Sequence, residues 1–211
     1  MKIDLPNLPN ELPFKNFSDI LYEEEPELEL CEINDSIFEN EVLTRSRLYK
    51  MIIKNCRFNN TDFSNIDITD VSFENCDFSN TTMRKSSIHR SVFNNCKLIG
   101  ADFTESKLGN VAFTNSLLNL ASFGSSKLEK VKFHDNSLES SDFYDCNLKK
   151  IDFKSCNIND VSFEKTSLKG LDLSTSTFES LTLSLSDLKG CKVSTHQAIQ
   201  FAALLGVIIV E

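Results

Sequence analysis

Residues 101–105 read Ala101-Asp102-Phe103-Thr104-Glu105, and this five-residue unit is the pattern that decides the fold. From Ile33 to Val193 every fifth residue is Phe, Leu, Ile, Met or Val, without a gap or a shift. A helix repeats its apolar face about every 3.6 residues and a half-buried strand about every 2, so neither can place these side chains on one side. The pattern therefore predicts a solenoid whose chain turns a corner in every repeat.

The residue two places before each large apolar residue is small or β-branched in most repeats. Cys56, Thr61, Ile66 and Val71 occupy four successive positions of this kind, and the remaining three positions of the unit are mostly polar. One large and one small inward side chain per unit fit a narrow tube with a polar outer surface. Over residues 31–193 the chain resembles the pentapeptide-repeat family, whose pattern is written A(D/N)LXX.

That resemblance implies a right-handed, four-walled β-helix in which four repeats form one coil and residues 20 apart stack. Read in steps of 20, the chain concentrates Phe in the series that begin at Ile33 and Leu43, which lie on opposite walls. The expected fold is all-β, a right-handed quadrilateral β-helix with a short C-terminal α-helix and a dimerising β-strand. At a spacing of ~4.8 Å between coils, roughly eight coils make a rod about 40 Å long.

The sequence divides into three parts. Residues 1–30 form a predicted N-terminal capping segment, since all four prolines precede the repeats and Pro is excluded from a hydrogen-bonded ladder. We expect this acidic lead-in to cover the open edge of the first coil; a specific acidic binding tail is the alternative. Residues 31–193 form the predicted β-helix and residues 194–211 the predicted dimerisation module.

The repeat ends at Val193, and Ser194-Thr195-His196-Gln197 then matches a helix capping box, with Gly206 as the helix stop. Residues 207–210 are all apolar and read as a short strand with no partner in the chain. The strand either pairs with a second copy through a two-fold contact or folds back on its own last coil. The expected dimer interface comprises Phe201, Leu204, Leu205, Val207, Ile208, Ile209 and Val210.

Composition excludes several other functions. The net charge of −9 argues against direct nucleic-acid binding. All seven cysteines occupy the small inward position, which indicates free, packed thiols rather than a metal site, and fits a cytoplasmic location. The three histidines lie far apart, so we predict no catalytic group and no cofactor. Neither a signal peptide nor a membrane span is expected.

Two short motifs narrow the resemblance. Gln197-Ala198-Ile199 and Leu205-Gly206-Val207, placed after the repeats, are similar to the C-terminal module of the quinolone-resistance (Qnr) branch of this family. That resemblance implies an end-to-end homodimer that mimics DNA, binds DNA gyrase or topoisomerase IV, and protects the enzyme from fluoroquinolones. Many members of the branch carry loops that break the repeat, whereas residues 33–193 have none, so the chain resembles the loop-free members.

The charges differ between the four walls, which we name after the first central residue of each: the Ile33, Phe38, Leu43 and Leu48 walls. Between residues 31 and 193 the Leu48 wall holds ten basic and four acidic residues, the Leu43 wall four and seven, and the Phe38 wall two and five. We expect the two acidic walls to face the topoisomerase and the basic Leu48 wall to face away. The predicted contact residues are Asp62, Asp77, Asp102, Glu105, Glu139, Asp142 and Asp145.

Other functional classes remain. A solenoid fold does not by itself indicate which ligand it binds. A generic interaction scaffold with a different partner is therefore the main alternative. Charges placed merely for solubility would also produce the acidic walls. A hexapeptide-repeat acyltransferase is excluded because it requires a period of six.

Overall fold

The computed structural model describes residues 1–204 and 206–208, and the side chains of all of these except 203 and 204. It confirms a mostly parallel β-solenoid of about eight coils with a short C-terminal helix. The elements in chain order are β1 (Phe14–Lys15), a 3-10 helix (Phe17–Tyr22), β2 (Glu27–Glu29), β3 (Glu32–Asn34), β4 (Arg47–Lys54), β5 (Asp67–Glu74), β6 (Ser87–Asn94), β7 (Lys107–Thr114), β8 (Lys127–His134), β9 (Asn147–Lys154), β10 (Val161–Ser162), β11 (Leu181–Thr182) and α1 (Thr195–Leu204).

The coil contains 20 residues, as the sequence predicts. Strands β3 to β9 pair in parallel, one coil above the next, and each pair is offset by 20 residues, as in Ile53 with Phe73. Each of the strands β4 to β9 spans two walls, the Leu48 wall and the Ile33 wall. The other two walls are held together by isolated bridges such as Asp62 with Thr82. The acidic walls are therefore built from tight turns, and the other two from long strands.

Nearly every corner is formed by one residue in the left-handed region, at the fifth position of the unit. Asn is common there because its short side chain tolerates this conformation, with φ of 53° at Asn55 and 56° at Asn75. The Asn side chains at one of these corners form a short hydrogen-bonded ladder. Asn75 donates to Asn55 at 3.1 Å and Asn95 to Asn75 at 2.7 Å, whereas Asn115 donates to Asn94 instead.

Stacked Phe rings fill the core. Phe123 stacks between Phe103 and Phe143 in the Leu43 series, with ring centroids 5.0 and 4.7 Å apart. Its edge also meets two rings of the opposite Ile33 series, Phe113 at 6.2 Å and Phe133 at 5.8 Å. All five rings are fully buried. The two Phe columns therefore interlock along the axis of the rod.

The N-terminal segment, residues 1–30, covers the open end of the core and also runs along the side of the rod. Phe17 of the 3-10 helix is buried and packs edge-on against Phe38 and Phe58 at 5.0 and 4.7 Å, so this turn covers the open end of the core. Residues 1–10, which we call the N-terminal strap, lie elsewhere. They run along the side of the rod, where the main-chain amide of Asp4 donates to Asn110 and that of Asn7 to Asp70. The sequence analysis did not anticipate this second position.

The strap is anchored at a buried ion pair. Asp70 is 1% exposed, although it occupies a corner, and both of its carboxylate oxygens accept bonds of 2.7 Å from the Arg90 guanidinium one coil above. These bonds hold the pKa of the Asp70 carboxyl below its usual value. A bidentate Arg–carboxylate pair of this kind fixes geometry as well as charge.

Replacing Asp70 with Asn should remove an acid-sensitive part of the protein's stability. Because the pKa of Asp70 is lowered on folding, its contribution is complete above about pH 4 and disappears as pH falls through the lowered value. We expect wild type to be about 1–3 kcal/mol more stable than the variant near neutral pH, and the difference to close in strong acid. Urea unfolding across the pH range measures both; a difference independent of pH would contradict this account.

Helix α1 closes the C-terminal end of the core. Its predicted capping box is present: Ser194 Oγ accepts from the Gln197 amide at 3.2 Å, and Gln197 Oε1 from the Ser194 amide at 2.9 Å. The buried Gln197 amide group also donates to the carbonyls of Leu173 and Ser176 in the last coil, at 2.8 and 2.7 Å. Gln197 therefore provides hydrogen-bond partners both for the backbone at the start of helix α1 and for two carbonyls in the last coil of the solenoid.

Candidate functional site

The Leu43 wall carries a regular column of carboxylates. Asp62, Asp102 and Asp142 share one column at intervals of two coils, and hydroxyl residues occupy the coils between them. Each carboxylate accepts the main-chain N–H two residues ahead, at 2.8, 2.8 and 3.0 Å respectively. These bonds stabilise the turn and hold each carboxylate in a defined position. The acids of this column therefore stabilise the turns, and they are also candidates for contact with a partner.

Two basic residues reduce the charge of this wall near its middle. Arg84 lies 3.8 Å from Asp102 and 3.4 Å from Glu105, and Lys85 lies 3.7 Å from Glu105. Asp142 and Asp145 have no basic group within 4.0 Å among the described residues. These two residues therefore form no ion pair in the described part of the chain, as is also true of Asp62, although Lys165 in the next coil lies near enough to Asp145 to interact with its charge.

The Phe38 wall contributes the remaining two predicted acids. Asp77 accepts from the amide and hydroxyl of Ser79 at 3.0 and 2.6 Å and lies 3.8 Å from Lys97. Glu139 is half-buried and accepts from the Asn119 amide group at 3.4 Å. The structure therefore places the seven predicted acids on two adjacent walls, but only Glu139 joins Asp142 and Asp145 in one coil.

The net negative charge along the rod is lower than that of duplex DNA. The coils from Asp62 to Asp145 span about 19 Å at a spacing of ~4.8 Å, and they carry twelve acidic and eight basic residues, seven of the acids being the predicted contacts. A duplex of that length carries about eleven phosphate charges, at one per ~1.7 Å. The rod therefore reproduces the sign of the DNA charge and an elongated shape, but its net charge density is well below that of the duplex.

The C-terminal end presents apolar side chains. Val207 and Ile208 are 52% and 88% exposed, and Ile199 of the helix is 46% exposed. Phe201, by contrast, is buried and packs on Phe178 of the last coil at 5.3 Å, so little of its ring remains for a partner. Residues 207 and 208 are not in a strand in this structure. Leu205, Ile209, Val210 and the side chain of Leu204 lie outside the described residues.

The thiols are packed as the sequence predicts. Six of the seven cysteines are buried and Cys191 is half-buried, with no disulfide among the described residues. Burial raises the pKa of Cys146 to about 12 and that of Cys191 to about 11. In the described part of the chain, no three His, Cys, Asp or Glu side chains come close enough to hold a metal ion. No described helix has the length and apolarity that a bilayer span requires.

Comparison with known proteins agrees with this geometry. The family model described as "Pentapeptide repeat region" matches residues 66–143. The chain therefore has the fold of a pentapeptide-repeat β-helix. Two solved structures of trypsin-treated variants of QnrB1, described as a plasmid-mediated fluoroquinolone resistance protein, share this fold, each with a TM-score of 0.61. They are 22% and 23% identical, cover 87% and 85% of this chain, and are themselves covered over 95% and 92% of their length. No curated protein matches the sequence.

Sequence reasoning missed two properties of this pentapeptide-repeat solenoid. It did not find that Asp62, Asp102 and Asp142 each brace a turn, although Asp side chains commonly accept the main-chain N–H two residues ahead. It also did not find that Arg84 and Lys85 partly neutralise Glu105. Only the stacking of residues 20 apart brings those groups together.

Proposed function

We propose that this protein, as a C-terminal homodimer, binds a type II topoisomerase, either DNA gyrase or topoisomerase IV, and protects it from fluoroquinolones. The observation that carries the proposal is the column of Asp62, Asp102 and Asp142 on a straight, uninterrupted rod. The fold that it shares with QnrB1 supports the same role. The enzyme surface that accepts duplex DNA must be basic, and an acidic wall is complementary to it.

The proposed contact centres on Glu139, Asp142 and Asp145, which lie in one coil and form no ion pair among the described residues. These residues lie in the C-terminal half of the repeat region, so a tail-to-tail dimer would place its two acidic clusters on either side of the junction. Such a dimer would present the acidic cluster twice, so two contacts with the enzyme could form at once and strengthen each other. The basic Leu48 wall adjoins the Leu43 wall and lies opposite the Phe38 wall, so it need not face the enzyme.

The proposal is tested by competition for the enzyme. A fluorescent duplex bound to purified gyrase should be displaced by increasing amounts of this protein. The protein's own binding to gyrase, measured directly, should weaken as salt rises, because screening shortens the range of charge attraction. A protein that leaves the duplex bound at every salt concentration would contradict the proposal and favour the scaffold alternative.

Replacing Ile208 with Asp should dissociate the proposed dimer. This side chain is 88% exposed in a single chain, and a charge there would have to be desolvated in a two-fold contact. We expect wild type to sediment at about twice the 23.9 kDa chain mass and the variant at the chain mass. Leu120→Asp is the matched control, because Leu120 is 63% exposed and lies far from the C-terminus. A monomeric wild type, or equal dissociation by the control, would contradict the dimer.

A further inference from the structure

The N-terminal strap lies lengthwise on the Ile33 wall and the corner beside it. Its bonds run from Asp152 in β9, 3.8 Å from the Met1 amino group, to Asp70 in β5. Between these ends the Asp4 amide donates to Asn110 Oδ1 at 3.1 Å. The strap therefore crosses every coil from β9 down to β5, against the direction in which the solenoid grows.

The wall under the strap is apolar in two adjacent coils. The first outward column of the Ile33 wall holds Val92 and Ala112 there, between Ser72 on one side and Lys132 on the other. Ala112 is only 6% exposed although its column faces outward, and Ile3 of the strap is 7% exposed. The corresponding column of the Leu43 wall alternates Asp with Ser or Thr instead. Burial of these two apolar side chains favours the position of the strap.

The polar anchors lie at the corner between the Leu48 and Ile33 walls. Asn110 is 9% exposed and Asp70 1% exposed, and each uses a side-chain oxygen to accept a main-chain N–H of the strap. Arg90 holds the second anchor in place, independently of the strap. Acceptors of this type bind any extended backbone. Side-chain selectivity comes from Lys130, whose Nζ lies 3.4 Å from the Asp4 carboxylate.

The strap itself is loosely fastened. Among the described residues, none of residues 1–12 shares a backbone–backbone hydrogen bond with the solenoid; the first such bond joins the Glu32 amide to the Pro13 carbonyl. Pro6 and Pro9 keep the segment extended but cannot donate. Leu5 is 63% exposed and adds little. A segment with so few bonds can open without unfolding the coils below it.

We propose that the Ile33 wall and its corner with the Leu48 wall form a docking surface for an extended, proline-containing segment of a partner protein, and that the strap occupies this surface in cis. The segment would present an aliphatic residue followed by a carboxylate, as Ile3 and Asp4 do, with the carboxylate at Lys130. Because this corner lies diagonally opposite the corner between the Phe38 and Leu43 walls, the surface is separate from the proposed topoisomerase contact. The inference stands whether or not the protein binds gyrase.

A cleavable strap tests the proposal. A protease site is inserted between Asn10 and Glu11 in the full chain, and after cleavage a fluorescent peptide of residues 1–10 is titrated by anisotropy. We expect saturable binding to the cleaved protein with a midpoint below about 100 µM. Intact protein should bind at least tenfold more weakly, since a strap on a short tether competes at an effective concentration on the order of 1 mM.

The matched variants are Asn110→Ala, at an anchor, and Asn80→Ala, at a left-handed corner away from the strap. The first should weaken peptide binding about fivefold or more, and the second should leave it unchanged. Absence of saturable binding, or equal weakening by both variants, would overturn the proposal. Hydrogen exchange on the intact chain provides a second measurement: excess unlabelled peptide should accelerate exchange of the Asp4 and Asn7 amides, and unchanged rates would also overturn it.

Discussion

Replacing Phe123 with Ala should lower the free energy of unfolding by about 3–5 kcal/mol. The ring is fully buried and touches four other rings, two in its own column and two in the opposite one. Neighbouring coils are fixed by their ladders, so the walls cannot collapse into the cavity. The loss therefore includes both the transfer of the ring to water and the empty space. Urea unfolding followed by circular dichroism measures the change.

Because Phe123 lies in the middle of the rod, the Phe123→Ala change should also reduce the cooperativity of unfolding. Each coil contacts only its neighbours, so a cavity in the middle weakens the coupling between the two halves of the rod. A broader transition or a smaller m-value would report this separation. Phe14→Ala is the control, because Phe14 is 73% exposed, and it should change stability by less than about 0.5 kcal/mol. A Phe123→Ala loss below about 1 kcal/mol would contradict the interlocked core.

Neutralising three carboxylates of the Leu43 wall should raise the amount of protein needed to protect gyrase by at least tenfold. The triple variant Asp102→Asn, Asp142→Asn and Asp145→Asn keeps an acceptor at each turn and suits the left-handed corner at residue 145. It removes three negative charges from the Leu43 wall, and each lost contact would be repeated in the dimer. The measurement is the protein concentration that restores half of the supercoiling in the presence of ciprofloxacin.

The control for this variant changes net charge equally on other walls. Asp67→Asn, Glu74→Gln and Asp135→Asn remove three charges from the Leu48 and Ile33 walls. If the acidic walls face the enzyme, the control should need about the same concentration as wild type. Equal loss in both triple variants would show that total charge matters and that the assignment of the Leu43 wall is wrong.

The coil architecture could be predicted because each inward residue repeats the same local rule. A period of five specifies the corners, and Phe in steps of 20 specifies the stacks, so no distant contact has to be guessed. The helix start was predictable for the same reason, since Ser194 and Gln197 lie within one turn. The orientation of Phe201 was not, because a helical stripe shows that a face is apolar and does not show which surface it meets.

The strap could not be predicted from local rules. Its two anchoring bonds join residues separated by 106 and 63 positions, and prolines exclude the ladder pattern that would have given a register. A weak signal does exist in the sequence: Val92 and Ala112 are adjacent apolar residues in an outward column that is otherwise mostly polar. Such a column indicates a covered surface but does not identify what covers it.

The most direct test of the account is gyrase supercoiling in the presence of ciprofloxacin, with and without this protein. We predict that the drug inhibits supercoiling and that adding the wild-type protein restores it, because an acidic rod occupies the DNA-binding surface on which the drug-stabilised complex depends. Supercoiling that stays inhibited at every protein concentration, with the rod folded, would contradict the account.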